Sequence, residues 1–186
     1  MLSPLRLYRV FPWLEEASEG EPGHPLYVAH PQGQGRIDNP EHYLTLYASD
    51  HREGAIGEAF GNHAIWTPDL LEGPRALPGS SRGIATFAAY GASIVDLDDP
   101  QMLLERDLRP STVVTRDRAR TQTWALDIHR EAQWDGVRWW SFHNPDWGSY
   151  GIWNLASVEL LDIAALRDQM PLVEEVATQM CRAWEL

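Results

Sequence analysis

Lysine is absent from this chain, and all fifteen of its basic residues are arginine. This absence excludes a phosphate-binding Walker A lysine, a lysine that forms a Schiff base with pyridoxal phosphate, and a lysine general base. Because arginine keeps its proton at physiological pH, the basic side chains are suited to binding and to electrostatic stabilisation rather than to proton transfer.

Cysteine and long apolar segments are scarce as well. Cys181 is the one cysteine, so an internal disulfide is excluded. No apolar run approaches the roughly 20 residues that a membrane-spanning helix needs. Residues 1–9 lack the basic and then apolar pattern of a secretory signal. We therefore expect a cytoplasmic protein that makes no contact with a membrane.

The charge balance is acidic. The 186 residues carry 27 acidic and 15 basic side chains, which gives a formal net charge of −12. Such a chain repels the phosphate backbone of nucleic acids at long range, so we expect no direct nucleic-acid binding. A local arginine cluster for a small anion stays compatible with this charge. The length and the 44% of hydrophobic residues predict one domain over residues 1–186.

Hydrophobic periodicity and turn residues predict both strands and helices. The predicted strands are residues 5–11, 25–30, 43–48, 84–97 with a break at Gly91, 137–142, 150–155 and 158–163. The predicted helices are residues 51–61, 116–130 and 172–184, with another beginning at Asp99 and Pro100. Because the strands do not alternate regularly with helices, the predicted class is α+β, with mixed and largely antiparallel sheets.

The helix at residues 51–61 is of particular interest because it carries an acidic residue beside its apolar stripe. Asp50 and Glu53 are suited to form a capping box at its start. Ile56 and Phe60 form the stripe that we expect to be buried. Glu58 then lies at the edge of the packed face, where a cleft can reach it.

Three other patterns have less specific interpretations. The seven histidines show no metal-ligand spacing, so we expect no metal site. Ser81 lies in a Gly-x-Ser-x-Gly pattern, but the strand before it and the helix after it that a hydrolase needs are not predicted, which leaves a serine hydrolase as a weaker alternative. The five tryptophans between residues 134 and 153 either fill a core or form a binding platform for sugars or bases. A non-catalytic binding module is therefore a second alternative function.

A further set of polar residues runs through the chain, comprising Arg9, Arg36, Tyr47, Glu58 and Ser141. Taken one at a time, each has an ordinary explanation: a strand arginine paired at the rim, a half-buried tyrosine, or a solvated glutamate on a helix. Taken in order, they resemble the RES-domain family, which is named for its arginine, glutamate and serine. The resemblance lies in Leu7-Tyr8-Arg9-Val10, Gly35-Arg36-Ile37, Leu46-Tyr47-Ala48-Ser49, Ala55-Ile56-Gly57-Glu58 and Trp134-Asp135-Gly136-Val137-Arg138-Trp139-Trp140-Ser141.

The resemblance implies a toxin of a bacterial toxin–antitoxin pair, with a fold similar to that of ADP-ribosyltransferases. Such toxins degrade NAD by phosphorolysis or hydrolysis, or transfer ADP-ribose to a protein, and their usual antitoxin is an Xre-type DNA-binding protein. NAD is then the substrate, with phosphate as a possible co-substrate and no permanently bound cofactor. The attacking group, whether phosphate, water or a protein side chain, is left open.

The resemblance also assigns roles that suit the chemistry of NAD. Arg36, with Arg9, would bind the anionic pyrophosphate through paired donors. Glu58 would hydrogen-bond a ribose hydroxyl and stabilise the oxocarbenium-like charge as the nicotinamide leaves. Tyr47 would stack on the nicotinamide or orient the ribose. Ser141 would donate to a phosphate or to the carboxamide.

Overall fold

The computed structural model describes residues 3–185. Within this range the strands are β1 (Leu5–Trp13), β2 (Leu46–Ser49), β3 (Ile65–Trp66), β4 (Ser81–Ala89), β5 (Ile94–Asp96), β6 (Gly136–Trp140), β7 (Gly148–Ile152), β8 (Val158–Ala165) and β9 (Ala183–Trp184). The α-helices are α1 (Arg52–Phe60), α2 (Pro100–Glu105), α3 (Pro110–Val113), α4 (Arg118–Arg130) and α5 (Met170–Gln179).

Seven of these strands form one sheet in the order β5-β6-β7-β2-β1-β4-β8. The β5–β6 pair is parallel, and the other neighbours in the sheet are antiparallel. The most extensive pairing joins β1 to β4, from Leu5 opposite Ala89 to Trp13 opposite Ser81. The predicted α+β class with a largely antiparallel sheet is confirmed.

Helices pack on the two halves of the sheet with separate apolar clusters. Helices α1 and α5 share one buried cluster with β4, to which Ile56, Ile84 and Val176 belong. Helix α4 packs on the β5–β6 half through Trp124 and Ile128. Ile56 and Phe60 are 0% and 2% exposed, as predicted for the apolar stripe of α1. This packing fixes the helix that carries Glu58 against the centre of the sheet.

The sheet parts between β1 and β2. These two neighbours share a single registered pair, Tyr8 opposite Ser49, whereas β2 pairs with β7 along its whole length, from Leu46 to Ser49. Two strands joined at one pair diverge on either side of it, so a space opens between them. Gly35 and Arg36 reach this space from the loop that precedes β2.

Two local predictions, the strand at residues 25–30 and the capping box of the first helix, are wrong. Residues 25–30 form turns and irregular backbone rather than a strand, because the Arg9 side chain occupies the carbonyl groups of Pro25 and Tyr27. Helix α1 begins after His51 without a side-chain cap; the Asp50 carboxylate instead accepts a hydrogen bond from the Gly148 N–H, 2.8 Å away.

The C-terminal helix is shorter than predicted. Helix α5 ends at Gln179, and Cys181 then adopts a left-handed conformation with φ of 52°. The chain continues into β9, which pairs in parallel with β3. Among residues 3–185, no helix is both long and apolar enough to cross a membrane.

Candidate active site

A cavity of about 400 Å³ occupies the space between the parted strands. Strands β1 and β2 line it on two sides, β6 and β7 contribute Trp139, Ser149 and Tyr150, and α1 presents Glu58. The other lining residues are Tyr8, Arg9, Val10, Gly35, Arg36, Tyr47, Ala48, Ser49, Ala55, Ala59, Asn62 and Arg118. The cavity therefore gathers residues that lie far apart in the sequence at the point where the central sheet opens.

Two buried serines hold the Glu58 carboxylate. Ser141 donates to Oε1 at 2.6 Å, and Ser149 donates to the same oxygen at 3.2 Å. The hydroxyl of Ser141 is itself oriented by the backbone N–H of His143, 3.1 Å away. Within residues 3–185, Oε2 of Glu58 accepts no hydrogen bond, and the residue as a whole is exposed. One carboxylate oxygen is therefore anchored and the other is free for a ligand.

Arg9 brings a guanidinium from β1 to the cavity. Its Nη1 donates to the carbonyls of Pro25 at 2.8 Å and Tyr27 at 3.0 Å. No carboxylate of residues 3–185 forms an ion pair with it. Burial lowers the pKa of Arg9 to about 10. A buried cation whose protein partners are neutral carbonyls favours an anionic ligand.

Arg36 supplies a second guanidinium to the cavity, and its protein partners are also backbone carbonyls. Its Nη1 donates to the carbonyls of Val113 at 2.9 Å and Thr115 at 2.7 Å, and its Nε and Nη2 donate to no acceptor within the described range. Burial lowers the pKa of Arg36 and the nearby charge of Arg118 lowers it further, whereas the Glu58 carboxylate, which forms no ion pair with Arg36, partly opposes both effects. The like charges of Arg36 and Arg118 thus lie near one another at the cavity, where an anion would relieve their repulsion.

Tyr47 contributes its ring to the cavity, whereas its hydroxyl is already engaged. The hydroxyl donates to Oδ1 of Asp38 at 2.6 Å and accepts from the N–H of Ile37 at 3.0 Å. The ring packs edge-on against Trp139, with 6.4 Å between the ring centroids. Burial and the Asp38 carboxylate both raise the pKa of Tyr47. The phenol is therefore protonated, and stacking is the contact that it offers to a ligand.

The structure brings together the residues predicted from the sequence. Arg9, Arg36, Tyr47 and Glu58 line one cavity. Ser141 is 2% exposed and lies behind Glu58, so its hydroxyl binds the carboxylate instead of facing the cavity. Ser141 therefore holds one oxygen of Glu58 in place, whereas the resemblance implied a donor to a phosphate or to the carboxamide.

Sequence reasoning missed Ser149, Asp38 and Arg118. Ser149 is the second donor to Glu58, Asp38 binds the Tyr47 hydroxyl, and Arg118 lies at the cavity beside Arg36. Asp38 follows Arg36 by two residues, and this short distance in the sequence could have identified it as a residue of the site. Ser149 and Arg118 carried no local signal, because only the pairing of β7 with β2 and the position of α4 bring them to the site.

The alternative interpretations find less support. Trp139 and Trp147 are buried, and Trp134, Trp140 and Trp153 pack against the core, so these tryptophans mainly fill the interior. A turn precedes Ser81, which then begins strand β4 with no helix following, so the geometry of a hydrolase nucleophile is missing. No group of three histidine, cysteine, aspartate or glutamate side chains in residues 3–185 is arranged to hold a metal ion.

The fold and the site together define a class: an α+β protein whose antiparallel sheet parts around an arginine-lined cavity with one anchored carboxylate. The RES domain family model matches residues 6–173. The chain therefore belongs to the RES-domain family, which confirms the resemblance found in its motifs. Among curated proteins no sequence matches it.

A solved structure shares the fold. The chain is similar to one in the crystal structure of the M. tuberculosis MbcT-MbcA toxin-antitoxin complex, with a TM-score of 0.60 and 12% sequence identity. The match covers 94% of this chain and 90% of that chain. At this identity the likeness concerns the backbone architecture alone.

Proposed function

We propose that this protein is the toxin of a bacterial toxin–antitoxin pair and that it breaks NAD at the bond between nicotinamide and ribose. The observation that carries the proposal is the composition of the cavity. Arg9 and Arg36 present guanidinium groups that form no ion pair with a carboxylate among residues 3–185, and Glu58 is held by two serines in the same space. Membership of the RES-domain family and the likeness to a chain of a toxin–antitoxin complex support it.

Each part of NAD finds complementary chemistry in this cavity. The pyrophosphate is an anion for Arg9 and Arg36, whose remaining N–H groups are free to donate. The flat nicotinamide or adenine ring suits the ring of Tyr47. The cavity of about 400 Å³ lies within the range of small-molecule sites, and a dinucleotide can extend beyond its open side.

The proposed reaction needs one carboxylate and no general acid. Nicotinamide leaves from a positively charged nitrogen, so it takes the electron pair of the C1″–N bond and departs neutral. Positive charge develops at C1″ and on the ring oxygen, where the free oxygen of Glu58 stabilises it and accepts a hydrogen bond from a ribose hydroxyl. Water or inorganic phosphate then forms a bond to C1″ and releases a proton to solvent, giving ADP-ribose or its 1″-phosphate.

The test is to incubate the purified protein with NAD, with and without inorganic phosphate, and to separate the products. We expect nicotinamide together with ADP-ribose or ADP-ribose 1″-phosphate, and formation of both about 100-fold more slowly in the Glu58→Gln variant. Intact NAD under all conditions would contradict the proposal. Transfer of a labelled ADP-ribose group to protein, without free ADP-ribose, would instead indicate a protein ADP-ribosyltransferase.

The toxin assignment also predicts an inhibitor, an Xre-type antitoxin encoded beside this gene. The protein has a net charge of −12, but its arginine-lined cavity is locally positive, so an acidic segment or a C-terminal carboxylate can bind there. The chain alone should arrest bacterial growth and lower cellular NAD, and co-expression of the neighbouring product should relieve both effects. A co-purified complex that consumes NAD at the full rate would contradict inhibition at this site.

A further inference from the structure

One buried carboxylate organises the loop that carries Arg36. Asp38 is 5% exposed, and its Oδ2 accepts hydrogen bonds from the N–H of Gly33 at 2.8 Å and of Gly35 at 2.6 Å. Its Oδ1 accepts from the Tyr47 hydroxyl at 2.6 Å. Three donors on one carboxylate join a loop and a strand into one unit, which we name the Asp38 network (Gly33, Gly35, Asp38 and Tyr47).

The network encloses Arg36 on both sides along the chain. The N–H of Gly35 binds Asp38, and the N–H of Ile37 donates to the Tyr47 hydroxyl at 3.0 Å. A side chain at position 35 would collide with the Tyr47 hydroxyl and the Asp38 carboxylate, so the close approach requires glycine there. The residue between these two anchored amides has little freedom to move its backbone.

Helix α4 fixes the opposite side of the same loop. Thr121 donates to the carbonyl of Arg36 at 2.5 Å, and the amide of Gln122 donates to the carbonyls of Gly33 at 3.1 Å and Gly35 at 3.0 Å. The loop therefore has its N–H groups bound by Asp38 and Tyr47 and its carbonyls bound by α4. The backbone of Arg36 is held in place before any ligand arrives.

Resting on the proposed function, we propose that Asp38 is a positioning residue that sets Arg36 for the anionic part of the substrate, and that the Tyr47 hydroxyl acts through this network instead of on the ligand. The one proton of the hydroxyl is donated to Asp38, and its oxygen already accepts from the N–H of Ile37. The ligand meets the ring of Tyr47 and the guanidinium of Arg36. Removing the hydroxyl then weakens binding only because Arg36 is no longer held.

A double-mutant cycle with ADP-ribose as the probe tests this coupling by titration calorimetry. Tyr47→Phe keeps the ring and removes the hydroxyl, and we expect it to weaken ADP-ribose binding about tenfold, the scale of one hydrogen bond to a charged group. In the Arg36→Ala background the same change should alter affinity by less than about twofold. Equal effects in both backgrounds would show that the hydroxyl acts on the ligand and would overturn the proposal.

The Asp38→Asn variant tests the carboxylate itself. An asparagine side chain offers one oxygen and one NH₂ group, so it cannot accept from both the glycine amides and the tyrosine hydroxyl. We expect a higher KM for NAD with kcat within about twofold of the wild type. Loss of kcat without a change in KM would contradict a positioning role toward Arg36.

Tyr43→Phe is the matched control. The Tyr43 hydroxyl donates to the carbonyl of Ile37 at 2.8 Å, in the same loop, but within residues 3–185 it forms no hydrogen bond with Asp38 and does not line the cavity. We expect a loss of thermal stability with unchanged ADP-ribose affinity. A tenfold loss of affinity in this control would mean that any loosening of the loop suffices, which would overturn the specific role of Asp38.

Amide hydrogen exchange gives a reading that does not depend on the ligand. In Tyr47→Phe and Asp38→Asn we expect faster exchange at Gly33 and Gly35, with exchange in α1 unchanged. Slow exchange at both glycines in both variants would overturn the network. If the wild type binds no ADP-ribose, the proposed function fails, and the exchange rates still decide whether Asp38 holds this loop.

Discussion

Replacement of Glu58 by glutamine removes a negative charge and leaves the local structure nearly unchanged. The glutamine oxygen can accept both hydroxyl groups that now bind Oε1, those of Ser141 at 2.6 Å and Ser149 at 3.2 Å. The NH₂ group then takes the place of the free Oε2. It donates where the carboxylate accepted, so the proposed contact to a ribose hydroxyl and the proposed attraction to a developing positive charge would both be lost.

The size of the effect follows from Coulomb's law. Two unit charges about 4 Å apart attract with about 4 kcal/mol at an effective dielectric constant of about 20. Glu58 is exposed at an open cavity, so water that stays near it reduces this value, and we take about 2 to 3 kcal/mol. We therefore expect kcat to fall about 100-fold, similar to the loss of one preorganised transition-state contact in other enzymes.

The assay measures nicotinamide release from NAD at saturating substrate, with ADP-ribose affinity determined separately. Glu53→Gln is the matched control, because Glu53 is on the same helix and does not line the cavity. We expect full turnover in the control and nearly unchanged ADP-ribose affinity in Glu58→Gln. If Glu58→Gln kept more than about a tenth of the wild-type kcat, the carboxylate would not stabilise the transition state and the reasoning would fail.

Three further outcomes are expected. Ser141→Ala should reduce kcat more than Ser149→Ala, because Ser141 lies 2.6 Å from the Glu58 oxygen and Ser149 lies 3.2 Å from it. Steady-state kinetics measure both variants, and a larger loss of kcat in Ser149→Ala would contradict this order. Arg36→Ala should weaken ADP-ribose binding by about 2 to 3 kcal/mol, and calorimetry that shows unchanged affinity would exclude it from the anion site. Gly57→Ala should lower the free energy of unfolding by about 1 to 3 kcal/mol in urea titrations, because its Cβ would lie 2.7 Å from the Trp147 ring; an equally stable variant would show that the ring can move aside.

Much of the fold was predictable because its signals are local. The apolar alternation of β1, the stripe of Ile56 and Phe60, and the Asp99 cap, whose side chain accepts from the Gln101 N–H, each depend on a few neighbouring residues. The failures share one cause, which is competition from distant groups. Residues 25–30 have the composition of a strand, but their carbonyls bind Arg9, a partner 16 to 18 residues away.

The same distinction applies to the candidate site. The residue types and their order identified Arg9, Arg36, Tyr47, Glu58 and Ser141, and with them the family, because motifs are a property of the chain alone. Which of these side chains face the cavity and which bind a neighbouring side chain was not predictable. A hydroxyl group can face a ligand or a neighbouring side chain, and only the fold decides which.

The sequence by itself determined the residue types that are present: arginine and no lysine, a net charge of −12, the α+β pattern and the motifs of the RES-domain family. Tertiary structure alone decided that β1 and β2 part after one pair, which opens the cavity, and that Ser141 lies behind Glu58. The physical reason is that hydrogen bonds and desolvation act at contact distance. Asp38 and Tyr47, or Glu58 and Ser149 at 91 residues apart, influence one another only after strand pairing has placed them side by side.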